Sequence, residues 1–320
     1  MGRKSFGPRR VFPPRPERFF EKRSMMNDYV LSCESTVDLT AEHLERRGIS
    51  YIRYSYELGG VPRRDDLWQT ISSEAFYRAM EEGAETKTSQ INAVEYEEYF
   101  SGFLKSGKDV LHLCLSSGIT GTLNSARAAA EALREAYPER TIYLVDSLAA
   151  SSGFGLLVDK LADLRDGGME LEELVRWTEE NKLRVHHWFF STDLRFYIKG
   201  GRISKTAGTI GGLLGICPLL NVSVDGKLIP REKVRSKKKV IQAIVEKMTL
   251  YADQGADYAG NCYLCHSACE EDARQVAELV EARFPKLKNR VEIYSIGPTI
   301  GSHTGPGTVA LFFWGSPRTE

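Results

Sequence analysis

Residues 108–147, KDVLHLCLSSGITGTLNSARAAAEALREAYPERTIYLVDS, restrict the fold more than any other stretch of the chain. An apolar run of strand length meets a Ser-Ser-Gly turn, an alanine-rich segment of helical period follows, Pro138 and Glu139 break it, and a second apolar strand closes the unit. Strand, tight turn, helix and strand in that order build a parallel sheet covered by helices. The alternation holds elsewhere. YVLSC (29–33) and YIRYSY (51–56) read as strands, TAEHLERRG as a capped helix ending at Gly48, and ISSEAFYRAMEEG, after a Pro/Arg/Asp-rich loop, as a helix ending at Gly83. Two helices, SGFGLLVDKLADLRDGG and MELEELVRWTEENKLR, lead to VHHWFFS (185–191), which opens a second sheet. CPLLNVSVDGKLIPREK then reads as a strand with an Asp-Gly turn, a helix starts at Ser236, and strands fall near 258–265, 290–295 and 308–313. The expectation is an α/β fold of two domains, residues 28–184 and 185–317, each a mainly parallel sheet flanked by helices.

Charge and cysteine usage narrow the function classes. Lys plus Arg equals Asp plus Glu at 43 each, so no global field exists to hold nucleic acid. Cysteines 33, 114, 217, 262, 265 and 269 sit mostly in apolar runs, which suits free thiols and a cytoplasmic location. Residues 1–27 form a basic, proline-rich tail expected to be disordered, and Met25 and Met26 offer an alternative start directly before the first strand.

Four places carry chemistry. In LSSGITGTLNSA, Ser116, Ser117 and Thr120 stand at the carboxyl end of a strand and the start of a helix, where free backbone N–H groups and the helix dipole favour an anion. Capping alone accounts for one hydroxyl there, and two serines with two glycines exceed it. AETKTSQIN places Thr88 and Ser89 in a polar loop before another helix, and KGGRISK holds Arg202 on a tight turn from which a guanidinium can grip a carboxylate or phosphate. IGPTIGSHTGPG carries His303, as base, metal ligand or donor to an anion. CYLCH (262–266) matches a haem-attachment pattern, but in a strand Cys262 and Cys265 face opposite sides of the sheet, so neither haem nor metal is expected. No G-x-S-x-G elbow or Walker A loop occurs. Spacing leaves open a hydrolase built from Ser116 or Ser117 with His303.

CESTVDLT, TKTSQ, LSSGITGTLNSA, DLRFYIKGGRIS, GGLLGICPLLNVSVDGKLIPREKVR and IGPTIGSHTGPG, in this order from about Tyr29 to Trp314, resemble the DegV family, which includes the fatty-acid-binding FakB subunits of bacterial fatty acid kinase. The chain departs from the family at Cys33-Glu34-Ser35-Thr36 and at Ile91-Asn92. The resemblance implies a DegV-like fold with a long-chain fatty acid between the two domains, and no cofactor, metal or catalytic residue. It implies carboxylate ligands at Thr88, at Ser116 or Ser117, at Arg202 and at His303, with Ser89 and Thr120 beside them. The partner it implies is a fatty acid kinase subunit that phosphorylates the presented carboxylate, with transient contact at a membrane surface. GTIGGLLGICPLL is expected to wall the acyl chain, and KGGRISK with REKVRSKKK to form a basic docking face. About 15 buried methylenes at roughly 0.8 kcal/mol each give a gross ~12 kcal/mol before ordering costs, so the head group is left to set orientation. The competing reading is a serine/histidine esterase or acyltransferase.

Overall fold

The computed structural model describes residues 29–204 and 215–320, so the basic tail and part of the GTIGGLLGICPLL stretch lie outside the described residues. Four parallel strands form the first sheet, in the order β2 (Ser50–Ile52), β1 (Tyr29–Glu34), β6 (Asp109–Cys114), β7 (Ile142–Asp146). The two-residue period of β6 sends Leu111 and Leu113 to one face and Val110 and Cys114 to the other. On the second face lie α3 (Ala93–Lys105), started by an Asn92/Glu95 capping box, and α4 (Thr122–Ala136). On the first lie α5 (Ser151–Asp166) and α6 (Leu171–Asn181), with the short α1 (Ala41–Arg46).

YIRYSY does not form one strand. The chain leaves the parallel sheet after Ile52 and re-enters as β3 (Ser55–Leu58) of a small antiparallel sheet with β4 (Val61–Arg64) and β5 (Thr86–Ser89). The loops read at 57–70 and 84–92 therefore contain strands. Their polar sequences match half-exposed edges, while Tyr56 and Leu58 of the central strand bury against α2 (Ser73–Glu81).

The second sheet has the order β10 (Leu228–Arg235), β9 (Ile216–Val222), β8 (Val185–Ser191), β13 (Thr308–Trp314), β11 (Cys262–His266), β12 (Val291–Ser295). Here the mainly parallel expectation is corrected: only β11 and β12 pair in parallel, and the other four pairings are antiparallel. The Asp225-Gly226 turn joins β9 to β10 as a hairpin, and a hairpin is antiparallel by construction, whereas β11 reaches β12 through the helical crossover α9 (Glu270–Arg283). Trp188, Phe190, Leu311 and Phe313 face α9 and α8 (Lys237–Tyr251), and Phe189, Ala310 and Phe312 face α5 and the first sheet. Cys262 and Cys265 lie in these two separate cores, on opposite faces as the strand period requires. Among the described residues, the remaining α-helices are α7 (Arg195–Lys199) and α10 (Pro298–Thr304). Among the described residues no helix is long and apolar enough to cross a membrane.

Candidate functional site

A cavity of about 660 Å³ lies where the carboxyl ends of the first sheet, the three-stranded sheet and the inner face of the second sheet converge. Its size is within the roughly 300–1,000 Å³ usual for small-molecule sites. Phe189, Ala310 and Phe312 form its deep wall, with Leu115, Ile296 and Ile300 beside them, so most of the interior is apolar. Polar side chains reach it from β5, from α10, from the segment after α7 and from the turn after β6.

His303 stands in the last turn of α10, a helix that the glycine-rich sequence conceals. Pro298 supplies its first turn, and Gly305, at φ +66°, ends it. Asp65 fixes its start by accepting from the Thr299 N–H and hydroxyl. Burial, against those hydrogen bonds, pushes the Asp65 carboxyl up to about 6. At the other end, His303 Nε2 is hydrogen-bonded to Thr88 Oγ1 at 2.7 Å, and its Nδ1 is buried with no partner among the described residues. A side chain at Gly200 would collide with that ring, which explains a glycine there. Burial first, and the Arg202 charge second, hold the imidazole down at about 4, so at neutral pH it is uncharged.

Arg202 lines the same cavity. It donates to the Gly200 carbonyl, its Nε is buried and unpartnered among the described residues, and burial, against a smaller opposing effect of Tyr54, lowers its pKa, with no carboxylate partner among the described residues. A half-buried guanidinium without an anion is costly, and one presented to an apolar cavity can pair with an acid. Thr120 faces the cavity and is bonded to Thr122 Oγ1 at 2.9 Å, which meets the Tyr54 hydroxyl at 2.8 Å. Behind it is Glu34, fully buried, accepting from Tyr54, from Tyr96 and from the Leu115 N–H. Ser89 stands exposed at the rim.

Thr88, Ser89, Thr120, Arg202 and His303 are thus brought together, and Ser116 and Ser117 are not among the residues lining this cavity. The Ser116 hydroxyl is buried, donates to the Gly226 carbonyl at 2.8 Å and accepts from the Gly118 N–H at 3.1 Å. Ser117 is exposed on the outer side of the turn, its N–H donating to Asp146. No serine–histidine pair is assembled from these residues, and His303 has no carboxylate partner among the described residues. Ligand atoms of Glu34, His112 and Cys114 lie within 4.8 Å of one another, but all three are sealed from solvent and the Glu34 oxygens already hold three donors.

Sequence reasoning missed Tyr54, and it missed the deep wall. The alternation in VHHWFFS and TVALFFW, whose Phe189 and Phe312 point one way and Trp188 and Phe313 the other, was the signal for the latter.

A family model described as an uncharacterised protein of the DegV family matches residues 31–315. The chain belongs to the DegV family. It is 34% identical over 293 residues to a DegV domain-containing protein of Clostridium perfringens, a match covering 92% of this chain and 99% of that one. Among solved structures, a DegV family protein of Thermus thermophilus described by its fatty acid binding is similar at TM-score 0.78 and 26% identity, over 91% of this chain and all of that one. The Streptococcus pneumoniae fatty acid kinase B3 protein loaded with linoleic acid shares the DegV fold at TM-score 0.76 and 22% identity, over 89% of this chain and 99% of that one.

Proposed function

We propose that this protein binds one long-chain fatty acid, its tail in the apolar cavity between lobes 28–184 and 185–317 and its carboxylate against Arg202, Thr88 and His303. The observation that carries the reading is the Arg202 guanidinium, half-buried at an apolar cavity and without an acidic partner among the described residues. A carboxylate supplies the missing charge, and the neutral His303 and the hydroxyls of Thr88 and Thr120 supply hydrogen bonds that orient it. Ser89, at the rim, meets the head group from outside. Fatty acid binding by the Thermus relative supports the same ligand class here. The protein acts as a carrier without chemistry of its own, presenting the carboxylate to a fatty acid kinase in the cytoplasm and exchanging its ligand at a membrane surface.

Denaturing the purified protein and analysing the released molecules by mass spectrometry tests this. A stoichiometric free fatty acid, with no labelling by a serine-reactive fluorophosphonate, is the expected result. Labelling without lipid favours the esterase. The kinase step has its own test: charge reversal at Lys238 and Lys239 leaves lipid content intact and weakens phosphorylation. Lys237 is unsuited to it because it pairs with Asp272 at 2.9 Å.

A further inference from the structure

Among the described residues, the wall of the cavity is thin where the turn after β6 meets the strand β10. Ile119, Arg202 and Leu228 line the cavity and also line a cleft of about 460 Å³ on the outside, formed between the turn after β6 and the strand β10. Ile119 belongs to the first lobe and Leu228 to the second, so the wall here is a seam between lobes and not a continuous element.

Three sets of contacts hold the seam. Ser116 donates to the Gly226 carbonyl across it. At Gly118 and Gly226 the two turns touch backbone to backbone, and a side chain at Gly118 would strike the Asp225 carbonyl while one at Gly226, already at φ +70°, would strike Ser116. Lastly, Arg318, only 7% exposed, donates from Nη1 to the Val222 and Ser223 carbonyls, both at 2.9 Å, and from Nη2 to the Leu148 carbonyl at 2.8 Å. Val222 and Ser223 lead into the β9–β10 turn, and Leu148 leads from the first sheet into α5. One guanidinium therefore pins a turn of each lobe to the other. The Glu320 carbonyl adds a bond from the Val224 N–H at 3.0 Å.

We propose that the segment 315–320 is a latch on the cavity: Arg318, with Ser116, holds the seam between Ile119 and Leu228 closed, and a fatty acid enters and leaves when that seam parts. The proposal rests on the fatty-acid reading for its ligand. Arg318 is a positioning residue here, since it does not line the cavity. The arrangement suits a latch because its bonds are all to backbone carbonyls, which remain in place and re-form the contact when the turns come back together.

Stripped protein is loaded with the fluorescent fatty acid cis-parinaric acid, and its release into excess oleate is followed by stopped flow. Arg318→Ala is expected to speed release about tenfold or more, as the loss of charge-assisted bonds implies, and Ser116→Ala to speed it by a smaller factor. Tyr258→Phe, which removes a hydroxyl bonded to the Asn261 carbonyl and the Trp314 N–H in the other core, serves as a destabilised control. Unchanged release in Arg318→Ala overturns the latch, as does equal acceleration in Tyr258→Phe at equal loss of Tm. Should Arg318→Ala fail to fold, Ser116→Ala decides by the same comparison. Hydrogen exchange gives a ligand-free reading: the Val224 amide exchanges faster in Arg318→Ala if the latch is real, and unchanged protection there overturns it. A wild-type protein that takes up no cis-parinaric acid sinks the fatty-acid reading, and the exchange result then judges the seam contact by itself.

Discussion

Thr88 and His303 are 215 positions apart in the chain and 2.7 Å apart in the fold, Oγ1 to Nε2, at the polar end of the cavity. One residue comes from a small antiparallel sheet and the other from the last turn of a seven-residue helix, so the contact exists only when both are docked. Thr88→Val preserves the β-branched shape that suits a strand and removes the hydroxyl. The dissociation constant for cis-parinaric acid should rise about fivefold, the value of one neutral hydrogen bond near 1 kcal/mol, and Tm should fall modestly because the buried His303 Nε2 loses its partner. An unaltered constant would take Thr88 out of the head-group site.

Arg202 predicts a trade between stability and binding. Its charge is held at a partly desolvated site without a counter-ion among the described residues, so the empty protein carries a cost that the ligand removes. Arg202→Met keeps most of the packing and deletes the charge. The stripped variant should melt at or above the stripped wild type, while the rise in Tm on adding fatty acid shrinks, because stabilisation by a ligand follows its affinity. A variant that is less stable when stripped, yet retains the full ligand-induced rise, refutes this role for the guanidinium.

How far the sequence reached depended on whether the deciding contact was local. The 108–147 unit was legible because its strand, turn and helix each have their own period, and a crossover of that length leaves only parallel pairing. The direction of the second sheet was not legible, since β13 inserts between β8 and β11 from the far end of the chain. Ser116 shows the same limit at the level of one side chain. Its position at a strand end fits an anion ligand, and only the close approach of Gly226, 110 residues away, turns its hydroxyl into a lobe contact. Arg202 and His303 could be named from the family motifs, but their shared cavity depends on Gly200 leaving room for the imidazole. The helix around His303 was hidden by its glycine and hydroxyl residues, with Pro298 the one local sign of its start.

Glu34, the family departure behind Thr120 and Tyr54, predicts a pH signature. Burial, against hydrogen bonds from Tyr96, Leu115 and Tyr54, pushes its carboxyl from 4.5 up to about 7. Between these values the native protein holds a proton that the unfolded chain has released, so this group lowers stability as pH rises through the window and has no effect of this kind below 4.5. His303, depressed from 6.5 to about 4, acts in the opposite direction, its stabilisation being lost as pH falls from 6.5 towards 4. The contribution of His303 is common to wild type and Glu34→Gln and cancels in their difference. The stability of Glu34→Gln relative to wild type should therefore climb from pH 4.5 to 7, by on the order of 3 kcal/mol, and level off above. Urea melts across that range measure it, and a flat difference would place the Glu34 carboxyl at an ordinary pKa.

On the fatty-acid reading, Ala310 limits the room left for the acyl chain. It sits at the centre of β13, paired with Phe189 on one side and Cys265 on the other, and all three residues line the cavity. A small residue flanked by larger ones leaves a notch in the wall. Ala310→Leu adds three carbons at that notch. The added side chain displaces ligand volume and not protein packing, because the space it enters is cavity, so overpacking costs stay small and Tm should hold. The fatty acids released on denaturation should shift shorter by roughly two to four carbons, since each lost methylene forfeits only about 0.8 kcal/mol of burial and a clash forfeits more. If the chain-length profile is the same in wild type and Ala310→Leu, the acyl chain does not run along β13, and its path must lie against the Leu115 and Ile300 side of the cavity instead.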